Sequence, residues 1–398
     1  MTGPTFLRAP EDQAVTQSLE EAFARRYGQG PEGVWSAPGR VNVIGEHTDY
    51  NAGLCLPMAL QHRTYVAARR RPDGVVRVAS QQTEASWEGQ VDDVGPGRVP
   101  GWPAYVLGVL WALRRRDLPV SGFDLLVDGY VPVGSGLSSS AALSCSTAVA
   151  LADLVPGGDR LTRQQLAADC VLAENVIAGA RTGGLDQAIA LRAVAGHVLL
   201  LDFRDFAAEP VPWTVTVRGW TLLVVDTRAA HSLVDGQYAA RRESCERAAS
   251  QLGLGALGEI DVDALDGALF RLREDDVLVR RTRHVVTEID RVRGAAEALR
   301  RADVQALGEL MTRSHRSLAD DFEVSSPELD LVVEAALKSG AAGARMTGGG
   351  FGGSAIALVR VDEMQSVAQA VASAFAARGW AAPYVLEATP SGPAARVS

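Results

Sequence analysis

The stretch Pro132-Val-Gly-Ser-Gly-Leu-Ser-Ser-Ser-Ala-Ala142 decides how this chain is read. Apolar residues Leu125, Leu126 and Val127 precede it as a buried strand would, and Ala141, Ala142 and Leu143 follow it as the start of a helix. Gly134 and Gly136 allow a tight turn and close approach of backbone to a ligand, flanking Ser135 and leading through Leu137 to three hydroxyls. Those hydroxyls, Ser138, Ser139 and Ser140, fall where the helix begins. A helix N-terminus presents unpaired N–H groups and the positive end of a dipole, so this strand–loop–helix unit suits a nucleotide phosphate. It is not the lysine-bearing phosphate loop, because the only lysine in the chain is Lys338. The plainer alternative is a strand-to-helix turn capped by serines, and the rest of the chain decides between them.

With 398 residues the chain is long enough for two or three domains with sizeable cores. A net charge of −9 argues against a general nucleic-acid or membrane-surface binder. No run of 18 apolar residues predicts a transmembrane helix. Glu11, Asp12, Glu20 and Glu21 stand where a basic-then-apolar secretion signal would be, so a cytoplasmic location is expected. Cys55, Cys145, Cys170 and Cys245 lie far apart without C-x-x-C spacing, which suits free thiols rather than disulfides or zinc.

Apolar spacing predicts helices over 13–27, 104–116, 141–154, 161–179, 238–252, 277–300, 304–320, 328–339 and 363–378. Strands are expected over 35–44, 63–70, 75–80, 123–127, 197–203, 221–226 and 355–360, before an Ala/Pro/Ser tail expected to fray. Helices and strands mix without strict βαβ alternation, so the fold class is α+β. Glu209-Pro-Val-Pro212 interrupts the pattern and places a lobe boundary there, giving lobes 1–208 and 209–398.

Three further clusters carry chemistry. Gly39-Arg-Val-Asn-Val-Ile-Gly-Glu-His-Thr-Asp-Tyr-Asn51 runs a strand into five consecutive hydrogen-bonding side chains, a set that suits a sugar and equally a solvated turn. Glu174 and Asp186 are separated acids, one suited to Mg²⁺ and the other to orienting and deprotonating a hydroxyl. Arg345-Met-Thr-Gly-Gly-Gly-Phe-Gly-Gly-Ser354 implies a backbone passing close to a phosphate or to another segment.

Together these stretches resemble the galactokinase branch of the GHMP kinase superfamily. The 39–51 run is similar to the branch signature nearly residue for residue, while the Gly134–Ser140 loop and the glycine cluster resemble superfamily markers. The segment from Val225 to Cys245 is similar to one that supplies a sugar-contacting tyrosine. The resemblance implies two α+β lobes with the active site between them, and phosphoryl transfer from MgATP to the anomeric hydroxyl of α-D-galactose. It implies Asp186 as the base and Arg40 as the group that neutralises charge and restrains it. Glu46, His47, Thr48, Asp49 and Tyr238 would bind the sugar, and Ser80 with residues 134–140 the nucleotide. Ser140 and Glu174 would hold Mg²⁺. Partners implied are small molecules, galactose and ATP, with no nucleic acid, membrane or obligate protein.

Three departures stand out. Thr182-Gly-Gly-Leu-Asp-Gln187 replaces the usual Cys-Gly-x-Met-Asp-Gln, Ser144 replaces a common acid, and Gly350 and Ser354 replace Ala and Cys. A kinase for N-acetylgalactosamine or arabinose, and a galactose/ATP sensor that transfers little phosphate, are the competing readings. The intact Ser138–Ala142 run disfavours the sensor.

Overall fold

Side chains along three long strands alternate between two apolar faces, and that alternation builds the larger of the sheets. The structure, a computed structural model, describes residues 3–180, 182–229 and 234–398. The strands are β1 (Thr5–Phe6), β2 (Gly33–Asn42), β3 (Leu54–Cys55), β4 (Pro57–Arg71), β5 (Val75–Ser80), β6 (Trp87–Gln90), β7 (Gly122–Gly129), β8 (His197–Asp202), β9 (Ala207–Pro212), β10 (Trp220–Asp226), β11 (Gly343–Thr347), β12 (Ser354–Arg360), β13 (Tyr384–Ala388) and β14 (Ala395–Arg396). The helices are α1 (Asp12–Tyr27), α2 (Pro103–Arg114), α3 (Ser139–Leu154), α4 (Arg163–Ala173), α5 (Leu185–Arg192), α6 (Val234–Leu252), α7 (Leu265–Arg271), α8 (Asp276–Arg300), α9 (Val304–Asp320), α10 (Pro327–Lys338) and α11 (Met364–Ala377).

One sheet runs β14-β2-β4-β7-β5-β6, antiparallel except where β5 lies parallel to β7. Trp35, Val66, Ala68, Leu125 and Val127 face α2, α3 and α4, whereas Val34, Tyr65, Ala67 and Leu126 face α1. A second sheet runs β1-β13-β10-β12-β11 beside α10 and α11, with the α8–α9 hairpin packed next to β11. Its core is continuous with Val41, Val43, Ile44, Leu54 and Leu56 of the first half, so the halves share one apolar interior. Residues β3-β8-β9 form a small third sheet. No helix among the described residues is long and apolar enough to cross a membrane.

The α+β mixture matches the expectation, but details differ. A division at 208 falls inside β9, whose partner β8 precedes it, and the termini exchange sides. Strand β1 joins the second sheet and β14 pairs with β2 of the first. The helix expected over 161–179 is α4 continued by a π-helical turn, Glu174–Ala178. The tail does not fray. It forms β13 and β14, buries Ala394, and is held by Arg63, whose guanidinium donates to the Gly392 carbonyl (3.1 Å) and the Pro393 carbonyl (2.7 Å). An Ala/Pro/Ser composition carries no apolar signal, so this docking by a remote arginine was invisible in the sequence.

Arg63→Met should therefore strand buried carbonyls and cost about 2–3 kcal/mol. Thermal unfolding checks the loss, and faster carboxypeptidase trimming of residues 390–398 checks its cause.

Candidate active site

Strand β2 changes register with β4 between Pro38 and Arg40, a bulge that re-aims the side chain beyond it. A Cβ at Gly39 would stand 2.7 Å from the Leu137 carbonyl, so backbone meets backbone here. Arg40 N–H donates to that carbonyl at 3.0 Å. The largely buried guanidinium then donates from Nη1 to the Gly136 carbonyl (2.6 Å) and forms an ion pair from Nη2 to Asp186 Oδ1 (2.6 Å). Asp186, in the first turn of α5, accepts the Ser138 hydroxyl on Oδ2. One arginine thus ties the β2 loop, the glycine–serine loop and an acid into a single joint.

Gly134 and Gly136 (φ 75° each) and Ser138 (φ 63°) take the left-handed conformation that wraps the loop onto α3. With the Ser138 hydroxyl turned to Asp186, α3 begins without a side-chain cap, leaving its first amides available. Ser140 reaches the cavity wall. Leu137 is buried in the core and Ser135 bonds the Pro132 carbonyl (2.7 Å), so these two can offer a ligand only backbone. Ser80 ends β5 with its hydroxyl on Gln82 Oε1 (2.9 Å), and the structure does not bring it to the cavity.

The cavity, about 240 Å³, gathers Arg40, Glu46, His47, Asp49, Ser140, Glu174, Gly183, Asp186, Tyr238 and the backbone of Gly348 and Gly349. The His47 ring lies 4.6 Å from that of Phe322 and 5.5 Å from that of Tyr238, with Nδ1 on the Tyr50 hydroxyl (2.9 Å). Burial, then the neighbouring His284, lowers His47 to about 3, so the ring is neutral and Nε2 stands without a partner among the described residues. Burial, then repulsion from Asp186, pushes Asp49 up to about 6. A Cβ at Gly183 would lie 1.9 Å from Asp49 Oδ2, so only glycine fits beside that carboxylate. Thr48 turns inward, its buried hydroxyl donating to the Leu54 carbonyl (2.7 Å), and does not line the cavity.

Glu174 opens the π-helical turn, a local widening that aims it at the cavity. Burial, then Asp186, raises it to about 7, with Gln187 and Ser144 pulling the other way. Ser144 Oγ donates to its Oε1 at 3.4 Å, which gives the unusual serine a role: it touches the same carboxylate an acid there would repel.

Beneath the sugar-like signature lies a buried ionic network that the sequence did not announce. Glu46 accepts from Asn42 Nδ2 (3.0 Å) on one oxygen, which also forms an ion pair with Arg345 Nη2 (2.5 Å), and from Thr347 Oγ1 (3.2 Å) and the Gly348 amide (2.9 Å) on the other. Burial pushes Glu46 up while Arg345 opposes it. Glu288 accepts the Gly45 amide (2.9 Å), Ser314 Oγ (2.6 Å) and Arg291 Nε (2.7 Å). Burial would raise Glu288, but Arg291, His284 and Arg345 outweigh it and hold the carboxyl at about 2. His284 bonds the Glu46 carbonyl (3.1 Å). The only forewarning was Arg345 at the head of the glycine cluster. That cluster approaches another segment: a Cβ at Gly348 would lie 3.0 Å from the Gly136 carbonyl, and Ser354 Oγ bonds the Ser135 carbonyl at 2.7 Å.

This joint between a glycine–serine loop, an Arg–Asp pair and a polar strand-end loop defines a class. Models of the GHMP kinases N terminal domain match residues 104–193 and of the GHMP kinases C terminal residues 295–377. Mevalonate kinase, at TM-score 0.64 and 17% identity over 89% of this chain and 98% of its own, shares the fold. The galactokinase galactose-binding signature matches residues 21–70. Galactokinase of Streptomyces coelicolor is 48% identical over 97% of this chain and 99% of its own, and that of Chloroflexus aggregans 42% over 91% and 92%. The structure of Lactococcus lactis galactokinase complexed with galactose matches at TM-score 0.90 and 32% identity, covering 96% of this chain and all of that one. The chain belongs to the galactokinase family of the GHMP kinases.

Arg345→Met keeps the volume but leaves Glu46 a buried carboxylate without its cation. The expected loss is about 3–5 kcal/mol of stability, read by urea unfolding. A loss below about 1 kcal/mol would show the pair to be idle.

Proposed function

We propose that the cavity presents the 1-hydroxyl of galactose to Asp186 while the γ-phosphoryl group of ATP lies against the uncapped start of α3. The reaction is that of an ATP-dependent sugar kinase, yielding galactose 1-phosphate and ADP. The observation that carries the reading is Asp186, fixed by Arg40 and Ser138 at the meeting of both loops. Asp186 Oδ2 accepts one hydroxyl and keeps a lone pair for a second, that of the sugar. Arg40 pairs with Asp186 and lies where negative charge spreads over the transferring group, since loose phosphoryl transfer is governed by positioning and charge neutralisation. Asp49, the unpaired His47 Nε2 and Tyr238 meet the other sugar hydroxyls, whereas Glu46 and Thr48 shape the loop from within.

Mg²⁺ fits the donors present. Ser140 and Glu174 offer two oxygens at the cavity, and no cluster of three metal-ligating side chains occurs among the described residues. That sparse set suits a cation that keeps phosphate oxygens and water as its other ligands. When bound, the ion would supply positive charge to neutralise the phosphate oxygens. Glu174 supplies a carboxylate whose pKa is raised by burial and then by Asp186, and Ser144 holds it in place. The four buried free thiols suit a reducing cytoplasm.

An ADP-release assay should show turnover that needs both galactose and Mg²⁺, and a clearly higher kcat/KM on another sugar of a panel would move the specificity. Asp186→Asn should leave galactose and ATP binding within about threefold and lower kcat by 10²–10⁴-fold, the order given by loss of a general base. The Glu174 carboxyl binds a proton as pH falls through about 7 and then offers no charge to the ion. Half-saturating Mg²⁺ should therefore rise by about tenfold per pH unit below that point, and Glu174→Gln should flatten the dependence.

A further inference from the structure

Away from the cavity, helices α8 and α9 enclose a groove lined by Arg283, Thr287, Arg291, Arg313, Arg316 and Ser317, with Asp320 and Asp321 at one end. The local charge is positive although the chain carries −9. Asp321 is taken by Arg283 at 2.9 Å, which leaves the other end of the groove to arginines. Among the described residues Arg313 and Arg316 have no ion-pair or hydrogen-bond partner. The deeper cation is Arg291, only 6% exposed, whose Nη2 is buried and unpartnered. A buried guanidinium with an unsatisfied donor is costly unless an acceptor completes it. Arg guanidinium forks fit phosphate oxygens, whereas the neighbouring Thr287 and Ser317 hydroxyls are spent on the Arg283 carbonyl and on Asp321 and leave the recognition to the arginines.

We propose that this groove binds a phosphate group and that its occupancy tunes the sugar loop. Nothing in the phosphoryl-transfer site uses these residues, but one contact chain joins the two places. Arg291 Nε donates to Glu288 (2.7 Å), Glu288 Oε1 accepts the Gly45 amide (2.9 Å), and Gly45 precedes the Glu46–Asp49 run. Phosphate oxygens at Arg291 compete with Glu288 for the same guanidinium. The Gly45 anchor weakens as a result, and the loop holds sugar less tightly. The regulatory half of the proposal rests on the galactose reading of the cavity; the binding half does not. A free phosphate and a phosphorylated sugar carry the same recognised group.

The test compares the full chain with R313A/R316A, two exposed changes outside the catalytic and sugar-binding machinery. Thermal unfolding is followed with inorganic phosphate, or with a hexose phosphate, at constant ionic strength. At about ten times Kd the parent chain should gain about 2 °C, and the double variant clearly less. Phosphate bound at the start of α3 would stabilise both proteins equally, so an equal gain, or none in the parent, overturns the site. The probe that saturates at lower concentration identifies the source of the group. In the ADP-release assay at saturating ATP, phosphate should raise the galactose KM about threefold in the parent, a change of order RT in binding free energy. The double variant should match the parent without phosphate and show no rise with it. An unchanged KM despite the Tm difference overturns the regulatory half. Absence of galactose turnover altogether would count against the galactose reading instead, with the Tm comparison still deciding the site.

Discussion

The buried pair between Arg345 and Glu46 is the constraint on which the rest of the cleft depends. A charged side chain taken from water is costly unless a partner and further donors complete it. Here the carboxylate meets the Arg345 cation and one amide donor on one oxygen and a threonine hydroxyl and a backbone amide on the other. Its donors come from both halves of the chain, so the loop after β2 can take this shape only when β11 is docked. The glycine cluster follows from the same demand. Gly348 must bring bare backbone to Glu46 beside the Thr347 hydroxyl while passing within contact of Gly136, and a side chain at Gly348 would hold the loops apart.

Above that anchor the cavity is a problem in carboxylate repulsion. Asp49, Glu174 and Asp186 share one small space with a single arginine, and the arginine is spent on Asp186. Asp49 and Glu174 are both raised, burial leading and Asp186 adding. Two carboxylates of lowered charge are ready to receive what relieves them: hydroxyls for one and a cation for the other. Both are raised by the same causes, so their proposed tasks differ by position in the cavity, Asp49 on the 39–51 loop and Glu174 on the π-helical turn.

Much of this was legible because the informative residues sit in short runs. The 132–142 and 39–51 stretches carry glycine, serine and polar side chains at spacings that only a few local structures accept, and long amphipathic helices such as Val304–Asp320 announced themselves by period. Lying within a signature did not reveal what a side chain faces. Thr48 looks like a sugar ligand but is spent on the loop's own interior, and Glu46 lines the cavity while its carboxylate is held by the β11 segment, because hydrogen-bonding residues serve folds and ligands alike. Glu288 and His284 were indistinguishable from a solvated helix face until α8 was seen against the loop. The same holds for Arg63, whose partners in the tail lie more than three hundred residues away.

A crystal structure of the chain with galactose and a non-hydrolysable ATP analogue tests the central claim most directly. The sugar is expected in the cavity with its 1-hydroxyl about 3 Å from Asp186 Oδ2, with Arg40 still on Asp186 and the analogue's terminal phosphate against the start of α3. A sugar bound with another hydroxyl at Asp186, or outside the 39–51 loop, would contradict it.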